Sequence, residues 1–191
     1  MIVCAHIPVS PYAPPSQTTI ATFPYYSLFA TYSMISEETL LQKLWTYQNL
    51  IMWVSGHVHR NAITNQPPAK PTPTVPSLYY GDLTHAFWEV ETPSLRDFPQ
   101  QFRTFDIVCN SDATVSIFAT DVDPAVADGS PAALSRTYGV GALKLFKLDE
   151  PAHFGDITVP ALPLLPTGSC NAELVVPLSP EMQAKLRGLG T

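Results

Sequence analysis

The sequence predicts an α/β fold built on a mixed sheet whose later strands run antiparallel. Three observations carry this. Two short apolar runs, at 1–6 and 50–54, bracket an amphipathic helix. Alternating segments then follow between Phe87 and Val122. Finally, 46% hydrophobic residues with only 14% charged is the composition of a chain that buries a core. Its 191 residues suffice for one sizeable core and a tail.

Met1-Ile-Val-Cys-Ala-His6 reads as a short strand buried on both faces, ending in a polar residue with Pro8 close behind. Opening on such a strand points to a chain that starts in the middle of a fold, because strands of this kind sit inside sheets. Pro11 to Tyr32 is a proline- and aromatic-rich loop, suited to covering a core or to stacking on a planar group. Ser33 or Ser36 can cap a helix with Glu37 and Glu38 in its first turn, and Leu40, Leu41, Leu44 and Trp45 form its apolar stripe. Leu50 to Val54 follows as a second buried strand. Strand, crossover helix and strand in that order imply parallel pairing.

Gln66 to Pro76 contains five prolines and is a loop. Phe87–Thr92, Phe102–Cys109 and Thr114–Val122 alternate like antiparallel strands, with Asn110-Ser-Asp112 turning between the last two. Ser130 to Leu148 predicts a helix with Ser130 at the N-cap and Pro131 at N1, weakened by Gly139 and Gly141. Pro151 to Pro180 reads as mostly irregular, and Pro180 to Leu186 as a short helix. The organisation expected is a domain over 1–148 and a proline-rich extension over 149–191.

A net charge of −6, with ten Lys and Arg spread along the chain, excludes a nucleic-acid scaffold. No basic n-region marks a signal peptide. The uncharged stretch from Met1 to Ser36 is broken by Pro8, Pro11, Pro14, Pro15 and Pro24, so it is not a membrane span. Cys4, Cys109 and Cys170 lie far apart and form neither a disulfide framework nor a zinc knuckle. Each is flanked by apolar residues and is expected to be buried. The compartment stays open.

Gly56-His57-Val58-His59, directly after the second buried strand, is the feature most suggestive of chemistry. Two imidazoles two residues apart at the C-terminal end of a strand face the crevice where α/β sheets bind ligands. Gly56 is expected to permit the sharp turn, and neutral imidazole is a common metal ligand. His6 ends the other buried strand. If the two strands share a sheet, His6 and His57 converge, and ring nitrogens on one ion lie within about 3–4 Å of each other.

These motifs resemble the later part of the ligand set of calcineurin-like metallophosphoesterases. In that family a lone His after a strand, here His6 in Val3-Cys-Ala-His-Ile-Pro-Val9, is followed downstream by GHxH, here Gly56 to His59. Trp88-Glu-Val-Glu-Thr-Pro-Ser-Leu-Arg-Asp97 and Gln101-Phe-Arg103 are similar to strands that follow GHxH in an uncharacterised bacterial subfamily. The likeness spans most of residues 1–148. It implies a two-sheet β-sandwich flanked by helices, with the N-terminal half missing here. It also implies His6 and His57 on one divalent metal ion, His59 on a second, and Mn, Fe or Zn as the metals. The chemistry is phosphoester hydrolysis between two cations about 3.5–4 Å apart.

The family's Asp-x-His, Gly-Asp-x-x-Asp and Gly-Asn-His-Asp or Gly-Asn-His-Glu motifs lie upstream of the lone His, and only five residues precede His6. Gly81-Asp-Leu-Thr-His85 is no substitute: His85 stands where the second Asp belongs, after GHxH rather than before it. Asp82 reads as a loop residue and His85 as a strand start. Three histidines without a carboxylate leave two dications to repel each other, so at most one weakly held metal and no catalytic residue are expected in this chain.

Arg60 and Asn61 are candidates for holding a substrate phosphate, or else for loop structure. Asp121 and Asp123 read as turn chemistry. Arg96, Asp97 and Arg103 read as a solvated or interdomain ion-pair cluster of small energetic effect. Three readings follow: a phosphoesterase half that needs its missing partner, a non-catalytic metal-binding or interaction module, and a single-metal hydrolase on His6, His57 and His59. The last is disfavoured because the resemblance places His59 on the other ion. A small phosphoester is the expected partner of a completed site, and self-association through uncovered strands is expected otherwise.

Overall fold

The computed structural model describes residues 1–9, 37–57, 59, 61–71, 78–149 and 171–189. The aromatic loop, the candidate caps Ser33 and Ser36, Arg60, Cys170 and most of the 151–180 segment lie outside these residues.

Among the described residues, two sheets and three α-helices make an α/β architecture. The first sheet is mixed, in the order β1 (Ile2–Cys4), β2 (Met52–Ser55), β4 (Phe87–Glu91), β3 (Ala62–Gln66). β1, β2 and β4 are parallel, and β3 is antiparallel to β4. The second sheet is antiparallel, in the order β5 (Phe102–Cys109), β6 (Thr114–Val122), β7 (Ala172–Pro177). The helices are α1 (Glu37–Leu44), α2 (Pro131–Asp149) and α3 (Pro180–Leu189).

The two-residue period of each strand divides the core. Met52 and Val90 point from the first sheet onto Val115, Ile117, Ala119, Leu174 and Val176 of the second. Trp53 and Phe87, an odd number of residues from Met52 and Val90 along the same strands, face the other way. There they meet Leu44 and Trp45 at the end of α1, with Val9 and Leu50. Each large apolar side chain so buried contributes about 1.5–3 kcal/mol. The stripe Leu40, Leu41, Leu44, Trp45 is thus the buried face of α1, as its spacing predicts. The cap of α2 is also as predicted, with the Ala133 amide donating to Ser130 Oγ at 3.1 Å. α3 is capped in the same way by Ser179, which is fully buried.

Several expectations are corrected. β1 is an edge strand with Ile2 and Cys4 exposed, not a strand covered on both faces. Cys109 is exposed as well. Apolar neighbours in sequence do not bury a residue whose strand lies at the rim of its sheet. β4 does not join the antiparallel set; it sits inside the first sheet between β2 and β3. β3 and β7 were not foreseen. The loop expected from Gln66 to Pro76 starts one residue inside β3, and Ala172 to Pro177 lies in a proline-rich stretch, yet pairing with β4 and β6 outweighs local preference. β7 also carries Leu174 and Val176 into the inter-sheet core, so part of the 149–191 segment belongs to it.

Candidate functional site

Parallel pairing of β1 with β2 is what brings two of the histidines together. The ladder continues past the strand ends, with the Ala5 amide on the Val54 carbonyl at 2.9 Å and the Gly56 amide on the His6 carbonyl at 3.2 Å. His6 and His57 therefore leave the sheet side by side. His57 Nδ1 lies 3.0 Å from His6 Nε2, and the rings meet edge to face with centroids 4.9 Å apart. The strand order and the two motifs predict this convergence, and the geometry agrees.

The turn after His6 is held from beneath. The Val9 amide donates to Glu89 Oε1 at 2.6 Å, and Gln66 Nε2 donates to Glu89 Oε2 at 2.7 Å. Glu89 is a fully buried carboxylate in the middle of β4, and these bonds offset the desolvation it suffers.

The turn after β2 differs from expectation in where its strain lies. Gly56 does not occupy the left-handed region; His57 and His59 do, with φ of 64° and 57°. A Cβ at Gly56 would meet Thr92 Oγ1 at an ordinary 4.0 Å. The strained conformations, roughly 1–2 kcal/mol each for a residue with a Cβ, thus fall on the histidines themselves. Strain of this kind clusters at sites that bind or switch.

His59 does not join the other two. Its Nδ1 is 2.5 Å from Asp97 Oδ2, with both side chains about half exposed. Arg96 Nε lies 3.8 Å from the other Asp97 oxygen, and Arg96 is almost fully exposed. The solvated cluster expected of Arg96, Asp97 and Arg103 therefore splits. Arg96 and Asp97 are at the surface beside His59, whereas Arg103 is buried against Asp121 in a bidentate pair at 2.7 and 2.8 Å. Asp97 is the residue that the sequence reading missed as a partner of the histidine loop. It stands 38 positions from His59, and no local spacing signals the contact.

Asn61 is buried. Its amide donates to Gln101 Oε1 at 2.8 Å and its carbonyl accepts from Arg103 at 3.0 Å, so its side chain anchors the loop internally instead of facing a phosphate. His85 and Asp82 are equally structural. Asp82 caps a 3-10 helix, Leu83–His85, by accepting from the Thr84 amide and hydroxyl. Buried His85 stacks on Tyr79 and donates from Nδ1 to the Trp45 carbonyl. Asp121 and Asp123 are committed to Arg103 and to Gln101 and Arg136 respectively.

The fit to a metal is partial. With metal–nitrogen bonds of 2.0–2.1 Å, two ligands in cis octahedral positions are about 2.9 Å apart and two tetrahedral ones about 3.3 Å. The 3.0 Å contact of His57 Nδ1 and His6 Nε2 is a hydrogen bond between the two imidazoles, and its length also matches one such edge. Among the described residues, no group of three or more His, Cys, Asp or Glu side chains is arranged to hold an ion. The described residues thus bring two imidazole nitrogens together and form a separate His–Asp pair, and they contain no complete coordination shell. No helix among the described residues is long and apolar enough to cross a membrane. The chain matches no family model, and no curated protein is similar to it.

Proposed function

We propose that this chain carries the histidine half of a binuclear metal-dependent phosphoesterase site of the calcineurin-like kind, and that it is inactive by itself. The observation that carries the reading is the His6–His57 pair. Two imidazoles end adjacent parallel strands, one of them within Gly56-His57-Val58-His59, with nitrogens at the spacing of two ligands on one ion. The mixed sheet packed on an antiparallel sheet is the architecture that this resemblance implies.

His6 and His57 would hold one divalent cation and His59 a second. Bound cations would polarise a phosphoester and acidify water. The chain's own contribution is positional: the β1–β2 ladder sets the spacing of the imidazoles, and Glu89 fixes the turn that presents His6. Carboxylates needed to neutralise two neighbouring dications do not stand beside the pair among the described residues, which makes activity a property of a completed site.

Calorimetric titration with Mn²⁺ or Zn²⁺ tests this. One weakly bound equivalent, abolished by His57→Ala, is expected, with hydrolysis of bis-p-nitrophenyl phosphate at background. Steady turnover that His57→Ala abolishes would overturn inactivity of the isolated chain. No metal uptake at millimolar concentration would overturn the metal reading and favour a non-catalytic interaction module. The internal engagement of Asn61 already fits that second reading.

A further inference from the structure

We infer that Thr92 is the positioning residue of His57: its hydroxyl grips the Ser55 carbonyl and so holds the turn that lays His57 against His6. This rests on the proposed binding of one cation at the His6–His57 pair and adds to it a residue from a third strand end, outside both histidine motifs.

The two bonds that Thr92 makes are of different kinds. Ser55 and Glu91 are partners in the parallel β2–β4 ladder, and the Thr92 amide continues that ladder to the Ser55 carbonyl at 2.7 Å. Any residue with a backbone N–H would supply this bond. The Thr92 hydroxyl donates to the same carbonyl at 2.9 Å, and that second bond needs this side chain. A carbonyl oxygen has two lone pairs and accepts both. Pro93 follows, and a residue before proline is kept extended. Thr92 therefore stays in line with β4, where its hydroxyl reaches across to β2.

The peptide unit that leads into His57 is thereby fixed on both sides. Its carbonyl, from Ser55, is tied to β4 by Thr92, and its amide, from Gly56, donates to the His6 carbonyl at 3.2 Å. The next residue, His57, has a φ of 64°. A residue with a Cβ keeps such a conformation only where its surroundings over-determine it, and the double grip on Ser55 is one such determinant. The two segments are close here, since a Cβ on Gly56 would lie 4.0 Å from Thr92 Oγ1. β4 thus secures both histidine turns, through Glu89 at Val9 and through Thr92 at Ser55. Without the hydroxyl the ladder remains, whereas the turn is free to relax to negative φ and carry the His57 ring away from His6.

The test uses the full chain and reads the turn and the cation separately. Thr92→Val keeps the branched shape and the amide bond but loses the hydroxyl, and Thr92→Ser keeps the hydroxyl. In NMR spectra of the metal-free protein, wild type is expected to show the strong intraresidue amide–Hα NOE of a positive φ at His57, together with NOEs between the His6 and His57 rings. Both should weaken in Thr92→Val and persist in Thr92→Ser. Calorimetric titration with Zn²⁺ should then give about 2–10-fold weaker binding in Thr92→Val, the effect of one neutral hydrogen bond, and wild-type affinity in Thr92→Ser. NOEs unmoved by Thr92→Val overturn the inference. So does an equal loss of affinity in both variants, which would assign the effect to packing and not to the hydroxyl. Weakened NOEs with unchanged Zn²⁺ affinity overturn the link between this turn and cation binding. A Thr92→Val chain that no longer melts cooperatively overturns the inference too, because the hydroxyl would then support the sheet and not the turn. Absence of Zn²⁺ uptake by wild type overturns the proposed metal function, and the NOEs then decide by themselves whether Thr92 holds His57.

Discussion

Removing the carboxylate of Asp121 is expected to be among the most damaging single changes away from the core. Arg103 lies on β5 with its side chain fully buried, and Asp121 on β6 is 6% exposed. They are direct partners in the ladder, and the guanidinium meets both carboxylate oxygens. Asp121→Ala takes both of these charge-assisted bonds from a buried guanidinium, which keeps its bond to Asn61 among its remaining contacts. Breaking a buried pair from one side costs about 3–5 kcal/mol, a large share of the ~5–15 kcal/mol that holds a domain folded. The corresponding fall in melting temperature is roughly 6–20 °C at ~2–4 °C per kcal/mol. The assay is urea unfolding followed by tryptophan fluorescence, with the midpoint falling at constant slope. Asp121→Asn should be intermediate. The double change Arg103→Met with Asp121→Leu should recover most of the loss, since well-packed apolar groups often replace a buried pair at little cost. An Asp121→Ala variant within about 1 kcal/mol of wild type would mean that the pair is hydrated and would refute the reasoning.

Gly141 lies within α2 and a Cβ there meets nothing within 4 Å, so Gly141→Ala should raise stability by ~0.5–1 kcal/mol, and a lower unfolding midpoint would count against the helix. Met1, Ile2 and Ile7 are exposed at the β1 edge, so light scattering should show mass rising above the 20.9 kDa monomer with concentration and Ile2→Lys should reverse it. A monodisperse wild-type monomer that binds no hydrophobic dye would show that edge to be closed. The hydroxyl of Thr84, then its amide, holds the Asp82 carboxyl below the usual range, with a smaller contribution from His85. A depressed folded pKa stabilises above the unfolded value and is lost as pH falls through the folded one, so this small contribution fades below about pH 4. Thr84→Val should raise the Asp82 titration midpoint measured by NMR, and an unmoved midpoint would remove the hydroxyl as the cause.

Features set by neighbours along the chain were legible in the sequence. The apolar stripe of α1, the Ser130 cap of α2, the β5–β6 hairpin with its Asn110 turn, and the parallel pairing around a crossover helix all follow from periodicity, capping chemistry and turn residues. So does the meeting of His6 and His57, because two strand ends paired in parallel place their next residues together. What depended on sheet order was not legible. Whether β1 is central or at an edge decides the exposure of Cys4, and β1 carries no mark of its place. β3 and β7 exist through the hydrogen bonds of β4 and β6 rather than through propensity. Only the tertiary structure could separate the two aspartates of similar appearance. Asp121 is drawn into the interior by a buried arginine across the ladder, whereas Asp97 is left at the surface against His59 by a loop fastened to α2. The physical reason is range: capping and periodicity act over a few residues, whereas the burial and partner of a charge are fixed by whatever segment the fold brings across from it.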